Sequence, residues 1–167
     1  MKTIPLTRGL FVKVDDEDYK KFAIFRWHAQ VYNRHKGHYR ASRYDGKRFV
    51  YLYREILKAP KGKYIDHING DTLDDRKRNL RFCTLSQNNM NQITQKRKKA
   101  SKYKGVSLNK NKYKKWRAYI KINQKQIWLG NFYKEKNAAL AYDKKAKELF
   151  GEFAKLNFNQ PVSPLTK

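Results

Sequence analysis

The chain has 167 residues, with 40 Lys and Arg against 14 Asp and Glu and a formal charge of +26. Hydrophobic residues make up 40% and aromatics 14%. That is too much apolar and ring material for a disordered basic tail, so one domain of ordinary size or two small ones are expected. The single cysteine, Cys83, excludes a disulfide framework and a cysteine-based zinc site. No apolar run reaches the ~18 residues of a spanning helix.

The N-terminus has no signal-peptide core, which leads to the expectation of a cytoplasmic protein without a membrane partner. The charge is unevenly spread. Asp15-Asp16-Glu17-Asp18 is locally acidic, whereas no Asp or Glu occurs between Arg76 and Lys134. A solvated surface normally mixes signs, so a long basic stretch argues for a polyanion partner.

In chain order, the first segment covers about 1–60. Leu10 to Val14 reads as a strand and Asp15 to Lys20 as a polar turn or helix start, and Tyr19 to Trp27 carries Phe22, Ile24 and Phe25. Tyr32 to Tyr44 is expected to form a hairpin turning at Lys36-Gly37. Asp45-Gly46 marks a second hairpin, leading into Arg48 to Leu52. Tyr51 to Ala59 suits a short helix ended by Pro60. The second segment, about 61–93, reads as a strand (Tyr64 to His67), a loop rich in Asn, Asp and Gly (Ile68 to Arg78), a strand (Leu80 to Cys83) and a helix over Gln87 to Asn91 capped by Ser86.

Thr94 to Ser101 is a basic linker containing Lys96, Arg97, Lys98 and Lys99. It reads either as a solvated connection or as a segment lying along a phosphate backbone. In the third segment, about 102–160, Tyr103 to Leu108 is expected as a strand. Trp116 to Ile122 alternates, with Trp116, Ala118, Ile120 and Ile122 on one face and Arg117, Tyr119 and Lys121 on the other. Gln126 to Gly130 gives a third strand after a turn at Asn123-Gln124-Lys125. A helix from about Glu135 to Phe150 follows, apolar at Ala138, Ala141, Tyr142, Ala146 and Leu149 and stopped by Gly151. Three antiparallel strands with one helix on one face leave the other face bare, with basic and aromatic groups on it.

Phosphodiester hydrolysis needs an activated water, a cation near the developing charge and in-line geometry. Imidazole titrates near neutrality and accepts a proton from water. A carboxylate and an amide oxygen suit Mg²⁺, which prefers hard oxygen ligands and keeps several waters. Adjacent strand residues point to opposite faces, so Asp66 and His67 need not crowd one ion. An Asp-His pair alone is more often a surface ion pair than a base. Here, however, Asp66-His67-Ile68-Asn69-Gly70-Asp71 is followed by Asn79-Leu80-Arg81, with Asn79 twelve residues after His67, and by Gln87-Asn88-Asn89, with Asn88 nine residues further on.

This multi-part pattern resembles the HNH endonuclease family, in particular its phage and intron-encoded homing branch. The likeness covers about 64–91 and extends more loosely through Leu6-Thr7, Val14-Asp15-Asp16, Trp27-His28-Ala29 and Tyr53-Arg54-Glu55. The resemblance implies a ββα-metal site over about 62–93 in which His67 is the general base and Asn79 aligns its ring. It also implies that Asp66 and Asn88 hold one divalent cation, Mg²⁺ or else Mn²⁺, and no zinc. Asn88 stands where relatives often have His, and Tyr53 where they often have His before Arg. The remaining histidines, His28, His35 and His38, lack metal-ligand spacing.

Lys104-Gly105-Val106, Trp116-x-Ala118-x-Ile120, Trp128-Leu129-Gly130-Asn131-Phe132, Ala138 to Asp143 and Leu156-Asn157-Phe158 together resemble an AP2 DNA-binding domain over about 102–158. That resemblance implies a sheet lying in the major groove, with Lys104, Ser107, Asn109, Tyr119, Lys121, Gln126 and Trp128 at DNA-facing positions. Alternation adds Arg117 to the same face. Trp116 is expected in the core.

The fold class expected is α+β, an HNH nuclease module over 1–93, a linker over 94–101 and an AP2-like three-stranded sheet packed on one helix over 102–160. The function expected is site-specific, metal-dependent cleavage of double-stranded DNA of the homing type, leaving 5′-phosphate and 3′-hydroxyl ends. The chain carries one His67 site and two unlike segments, so binding as a monomer and preferential nicking of one strand are expected, in a bacterial or phage-infected cell. The rivals are a non-catalytic AP2-type regulator with a relic nuclease site and a basic RNA-binding protein. The second would explain the charge but not the ordered spacing.

Overall fold

A computed structural model describes residues 1–33, 37–91, 100–109, 113, 115–122 and 124–158. The chain forms two compact units, Met1–Asn89 and Met90–Lys167. The basic run Lys96 to Lys99 and His35 lie outside the described residues.

In the first unit, β1 (Lys2–Pro5) pairs antiparallel with β2 (Phe11–Val14), and the connection includes a 3₁₀ turn at Thr7–Gly9. The sequence reading anticipates β2 but not β1. Of the four β1 residues only Ile4 points inward, and Pro5 argues against a strand. Its strand state comes from the ladder to β2, which is a tertiary effect. α1 (Asp16–Phe22) follows, with three acidic residues in its first turn, where carboxylates complement the helix dipole. It stops well short of Trp27, and Ile24 is 77% exposed. Trp27 is buried and its indole N–H donates to the Phe22 carbonyl at 2.9 Å, as a buried indole requires.

β3 (His28–Asn33), β4 (His38–Tyr44) and β5 (Phe49–Tyr51) form an antiparallel sheet in that order. Asp45 sets the second turn, where its Oδ1 accepts the main-chain N–H groups of Lys47 and Arg48, each at 2.9 Å. α2 (Leu52–Ile56) lies ahead of Pro60 and buries Leu52, Tyr53 and Ile56. These join Ile4, Leu6, Val12, Val14, Trp27, Ala29, Ala41, Ile65 and Leu80 in one core.

β6 (Tyr64–His67) pairs antiparallel with β7 (Leu80–Cys83), Asp66 opposite Arg81 and His67 opposite Leu80, and α3 (Leu85–Met90) follows. The expected cap of this helix, Ser86, is corrected to Thr84. Thr84 Oγ1 accepts the Gln87 N–H at 3.2 Å, while Gln87 Oε1 accepts the Thr84 N–H at 2.8 Å. This reciprocal capping box starts α3 one turn before Asn88. Thr84→Ala is expected to cost about 1 kcal/mol, read as a lower urea midpoint at unchanged slope, with Thr84→Ser restoring it.

In the second unit, β8 (Val106–Leu108), β9 (Trp116–Ile122) and β10 (Lys125–Phe132) form an antiparallel sheet in the order β10-β9-β8, with a bulge between Trp128 and Gly130. α4 (Glu135–Phe150) buries Ala138, Ala139, Tyr142, Ala146 and Phe150, which meet Val106, Ala118 and Ile120 of the sheet. Trp116 packs against this core, as the alternation implies. The buried Asp143 carboxylate fastens the chain after α4, accepting the N–H groups of Asn157 at 2.8 Å and Phe158 at 2.9 Å. The Asn157 amide in turn clasps the Lys104 backbone, with Oδ1 accepting its N–H at 2.6 Å and Nδ2 donating to its carbonyl at 3.1 Å.

Candidate active site

His67 ends β6, and the loop that follows is braced at each step. Gly70 takes φ +82°, the left-handed region that suits glycine, and its N–H returns to the His67 carbonyl at 2.9 Å. Asn69 Oδ1 accepts the Asp71 N–H at 2.7 Å, and Asp71 Oδ1 accepts the Leu73 N–H at 3.0 Å. Asp74 is forked by Arg76, with both bonds at 2.6 Å, and its carboxyl is held below the usual range by the Arg76 hydrogen bonds. The loop is also tied to β2, where the Lys13 N–H donates to the Leu73 carbonyl at 2.8 Å and the Asp75 N–H to the Lys13 carbonyl at 2.9 Å.

Asn79 lies in the 3₁₀ turn Lys77–Asn79 and is buried. Its Nδ2 donates to the Asp74 carbonyl at 2.7 Å, and its Oδ1 accepts the Asn69 N–H at 3.0 Å. Both ends of the amide are therefore spent on the loop backbone. These described bonds of Asn79 act on the loop that follows His67, whereas its expected role is to align the ring.

The group that reaches the ring is Asp75, which the sequence reading passes over. Asp75 Oδ1 lies 2.9 Å from His67 Nε2, and both side chains are buried. Asp75 Oδ2 has no hydrogen-bond partner among the described residues. Burial pushes the Asp75 carboxyl up, and the His67 hydrogen bond opposes that shift. Only the consecutive acids Asp74-Asp75 could have flagged the position, and a run in a polar loop ordinarily signals solvent.

Tyr53 packs edge-on against His67, with ring centroids 5.4 Å apart and planes at 70°. Its neighbour Arg54 is structural, donating to the carbonyls of Lys63 and Pro60, each at 2.8 Å. Tyr53 is thus a wall of the imidazole pocket, and Arg54 a brace for the turn before β6.

Asp66 is also buried, and its Oδ2 accepts from Arg81 across the strand pair, at 3.1 Å from Nε and 2.8 Å from Nη2. Asn88 sits half-buried on α3, where its N–H donates to the Thr84 carbonyl at 3.0 Å. Among the described residues no group of three or more His, Cys, Asp or Glu is arranged to hold a metal ion. The expected metal donors, Asp66 and Asn88, would supply one carboxylate and one amide oxygen. Mg²⁺ accepts such sparse protein coordination when waters and substrate phosphate complete the shell.

Residues 58–90 match the HNH endonuclease family. The matched HNH segment holds all four expected site residues. Among curated proteins, the chain is 36% identical over 110 residues to an uncharacterized HNH endonuclease, L560, of Acanthamoeba polyphaga mimivirus, covering 66% of this chain and 55% of that protein. It is 40% identical over 67 residues to protein 3.8 of Escherichia phage T7, covering 40% of this chain and 54% of the relative. It is 45% identical over 65 residues to the ethylene-responsive transcription factor ERF024 of Arabidopsis thaliana, covering 38% of this chain and 35% of that protein. The chain thus spans about half the length of the first two relatives and about a third of the third. No solved structure gives a significant match.

In the second unit, Arg117 pairs with Ser107 and Asn131, Tyr119 with Trp128, and Lys121 with Gln126. Cross-strand partners share a face, so these residues share the face opposite Ala118 and Ile120, which meet α4. Trp128 is 63% exposed there, with no part in the core. Arg117 Nη2 donates to Asn109 Oδ1 at 3.1 Å. Lys104 is half-buried, its Nζ donating to the Met90 carbonyl at 2.6 Å, and burial lowers its ammonium to about 8.

Proposed function

We propose that the chain is a metal-dependent DNA endonuclease of the homing type, cutting phosphodiesters to 5′-phosphate and 3′-hydroxyl ends. The observation that carries this reading is His67 itself. It is a buried imidazole at the end of β6, held by Asp75 and Tyr53, beside a buried carboxylate in a segment that matches the HNH family.

In this reading His67 takes the proton of the attacking water. Asp66 and Asn88 hold the divalent cation, Mg²⁺ being favoured by the hard oxygen donors. When bound, the cation supplies charge stabilisation at the phosphate and the leaving 3′ oxygen. Arg81, clasped to Asp66, fixes the direction of that carboxylate. Asn79 keeps the loop closed so that the ring stays put.

The second unit is read as the targeting module. Arg117, Tyr119, Lys121, Gln126 and Trp128 form a basic and aromatic sheet face of the kind that enters a major groove, and the likeness to a plant transcription factor supports an AP2-type domain. The Lys96 to Lys99 run adds phosphate contacts in this proposal. Lys104 contributes less than expected, given its partial burial.

The test is incubation of the purified chain with supercoiled plasmid carrying random inserts. Relaxation or linearisation with Mg²⁺ or Mn²⁺ is expected, and EDTA should stop cleavage without releasing DNA. Asp66→Asn and Asn88→Ala are expected to raise the metal concentration for half-activation by about tenfold or more. Asn is preferred at 66 because Ala would strand Arg81. Full activity in EDTA would remove the metal from the mechanism. Binding without cleavage under every metal condition would favour the regulator instead.

A further inference from the structure

We propose that Asp75 is the positioning residue of the site, its carboxylate holding His67 by Nε2 and thereby selecting the tautomer in which Nδ1 is the basic nitrogen. The proposal rests on the nuclease reading only for its consequence in catalysis. The hold on the ring stands on the geometry alone.

Three observations carry it. Asp75 Oδ1 is 2.9 Å from His67 Nε2, both side chains are buried, and Tyr53 packs edge-on against the ring. With the carboxylate ionised, Nε2 must carry the hydrogen, because an ionised carboxylate only accepts. The ring's lone pair then sits on Nδ1. Direction, plane and tautomer of the imidazole are all set from the protein side.

The second observation is the cost. Asp75 is fully buried, and its Oδ2 has no hydrogen-bond partner among the described residues. A stranded carboxylate oxygen in the interior is unfavourable. Packing alone would be better served by an amide or an apolar side chain. The expense is understandable if a carboxylate is needed beside the ring.

The third is independence of the backbone. The main chain at Asp75 is fastened by its own N–H to the Lys13 carbonyl at 2.9 Å, and the preceding carbonyl by Asn79 Nδ2 at 2.7 Å. Neither bond uses the Asp75 side chain. The loop therefore has its own supports, and the carboxylate is left to act on His67.

The experiment uses the full chain with ¹⁵N-labelled histidine rings, metal-free, at a pH where the ring is neutral. Two-bond ¹⁵N–¹H correlation distinguishes the tautomers. The parent is expected to show His67 with the hydrogen on Nε2. Asp75→Asn, whose amide can turn to donate to Nε2, should shift His67 toward the Nδ1–H form, and Asp75→Ala should leave a mixture. In plasmid cleavage with Mg²⁺, both variants should lose about 10²-fold in rate at saturating DNA, with half-saturation unchanged within about twofold. Melting curves control for folding, and if Asp75→Ala does not fold, the isosteric Asn variant decides. An Nδ1–H ring in the parent would overturn the proposal. So would an Asp75→Asn variant that melts lower yet keeps the parental tautomer and rate, since that is the mark of a purely structural residue. If the parent does not cut DNA at all, the nuclease reading falls, while the tautomer measurement still decides whether Asp75 governs the ring.

Discussion

His67→Ala is expected to slow DNA cleavage by about 10²–10⁴-fold, the usual worth of a general base, while duplex binding stays near that of the parent. In the proposed mechanism the imidazole acts on water and contributes little to affinity for DNA. The variant should also destabilise the fold, because removing the ring strands the buried Asp75 carboxylate, and an unpaired interior charge destabilises. His67→Gln therefore belongs beside it, since an amide N–H can still donate to Asp75 but cannot serve as a base. Single-turnover cleavage of a pre-bound substrate, read against gel-shift affinity and a melting curve, separates the two effects. If either folded variant cuts at more than about half the parental rate, the assignment of His67 as base is lost.

Gly105→Ala is expected to be the most damaging small substitution in the second unit. Gly105 has φ +74°, and an added Cβ would lie 1.9 Å from Tyr142 Cδ2 and 2.7 Å from the Tyr119 carbonyl oxygen. A left-handed non-glycine residue costs roughly 1–2 kcal/mol, and forcing an extra carbon into a packed core costs about 1–3 kcal/mol. Neither neighbour yields easily. The Tyr142 ring is buried in the core between α4 and the sheet, and the Tyr119 oxygen is backbone of β9. A loss of about 3 kcal/mol would lower the melting temperature of a domain this size by roughly 12–24 °C. The measurement is calorimetry of the full chain, in which the transition of the second unit should move and that of the first should not. An unchanged thermogram would show that the space around Gly105 is softer than the contacts imply.

Much of the architecture is legible from local pattern. The span of β9 and the sorting of its two faces follow from strict alternation, and the limits of α4 follow from its alanine periodicity and Gly151. Pairing signals were also local at Asp45-Gly46 and in the strand, loop, strand, helix run from Tyr64 onward. What escaped depends on distant partners. β1 exists through its ladder to β2, and α1 is shorter than the apolar residues after it suggest, because Trp27 is recruited to the core from beyond the helix end.

The site follows the same division. His67 and Asp66 stand out as candidates because motif and chemistry coincide at adjacent positions. Their immediate partners do not. Asp75 meets His67 across eight residues of loop, and Arg81 meets Asp66 across fifteen residues through strand register. The Asn79 amide could be placed in the site, but which atoms it would bond could not, since an amide offers both donors and an acceptor and only the folded loop decides between them.

The ties between the loop and the start of the chain bear on portability. The segment that matches the HNH family begins at residue 58, yet the loop inside it hangs from Lys13 by two main-chain bonds, and the Lys77 N–H is received by Asp15 Oδ2 at 2.8 Å. An excised 58–90 fragment would carry Asp66, His67, Asp75, Asn79 and Asn88 but lack both Tyr53, which packs on the His67 ring, and the rail on which the loop is hung. Grafting this site onto a DNA-binding protein therefore means moving the first ninety or so residues as one piece, and the acidic stretch at Asp15 to Asp18, so unlike the rest of a basic chain, travels with it as part of the chassis.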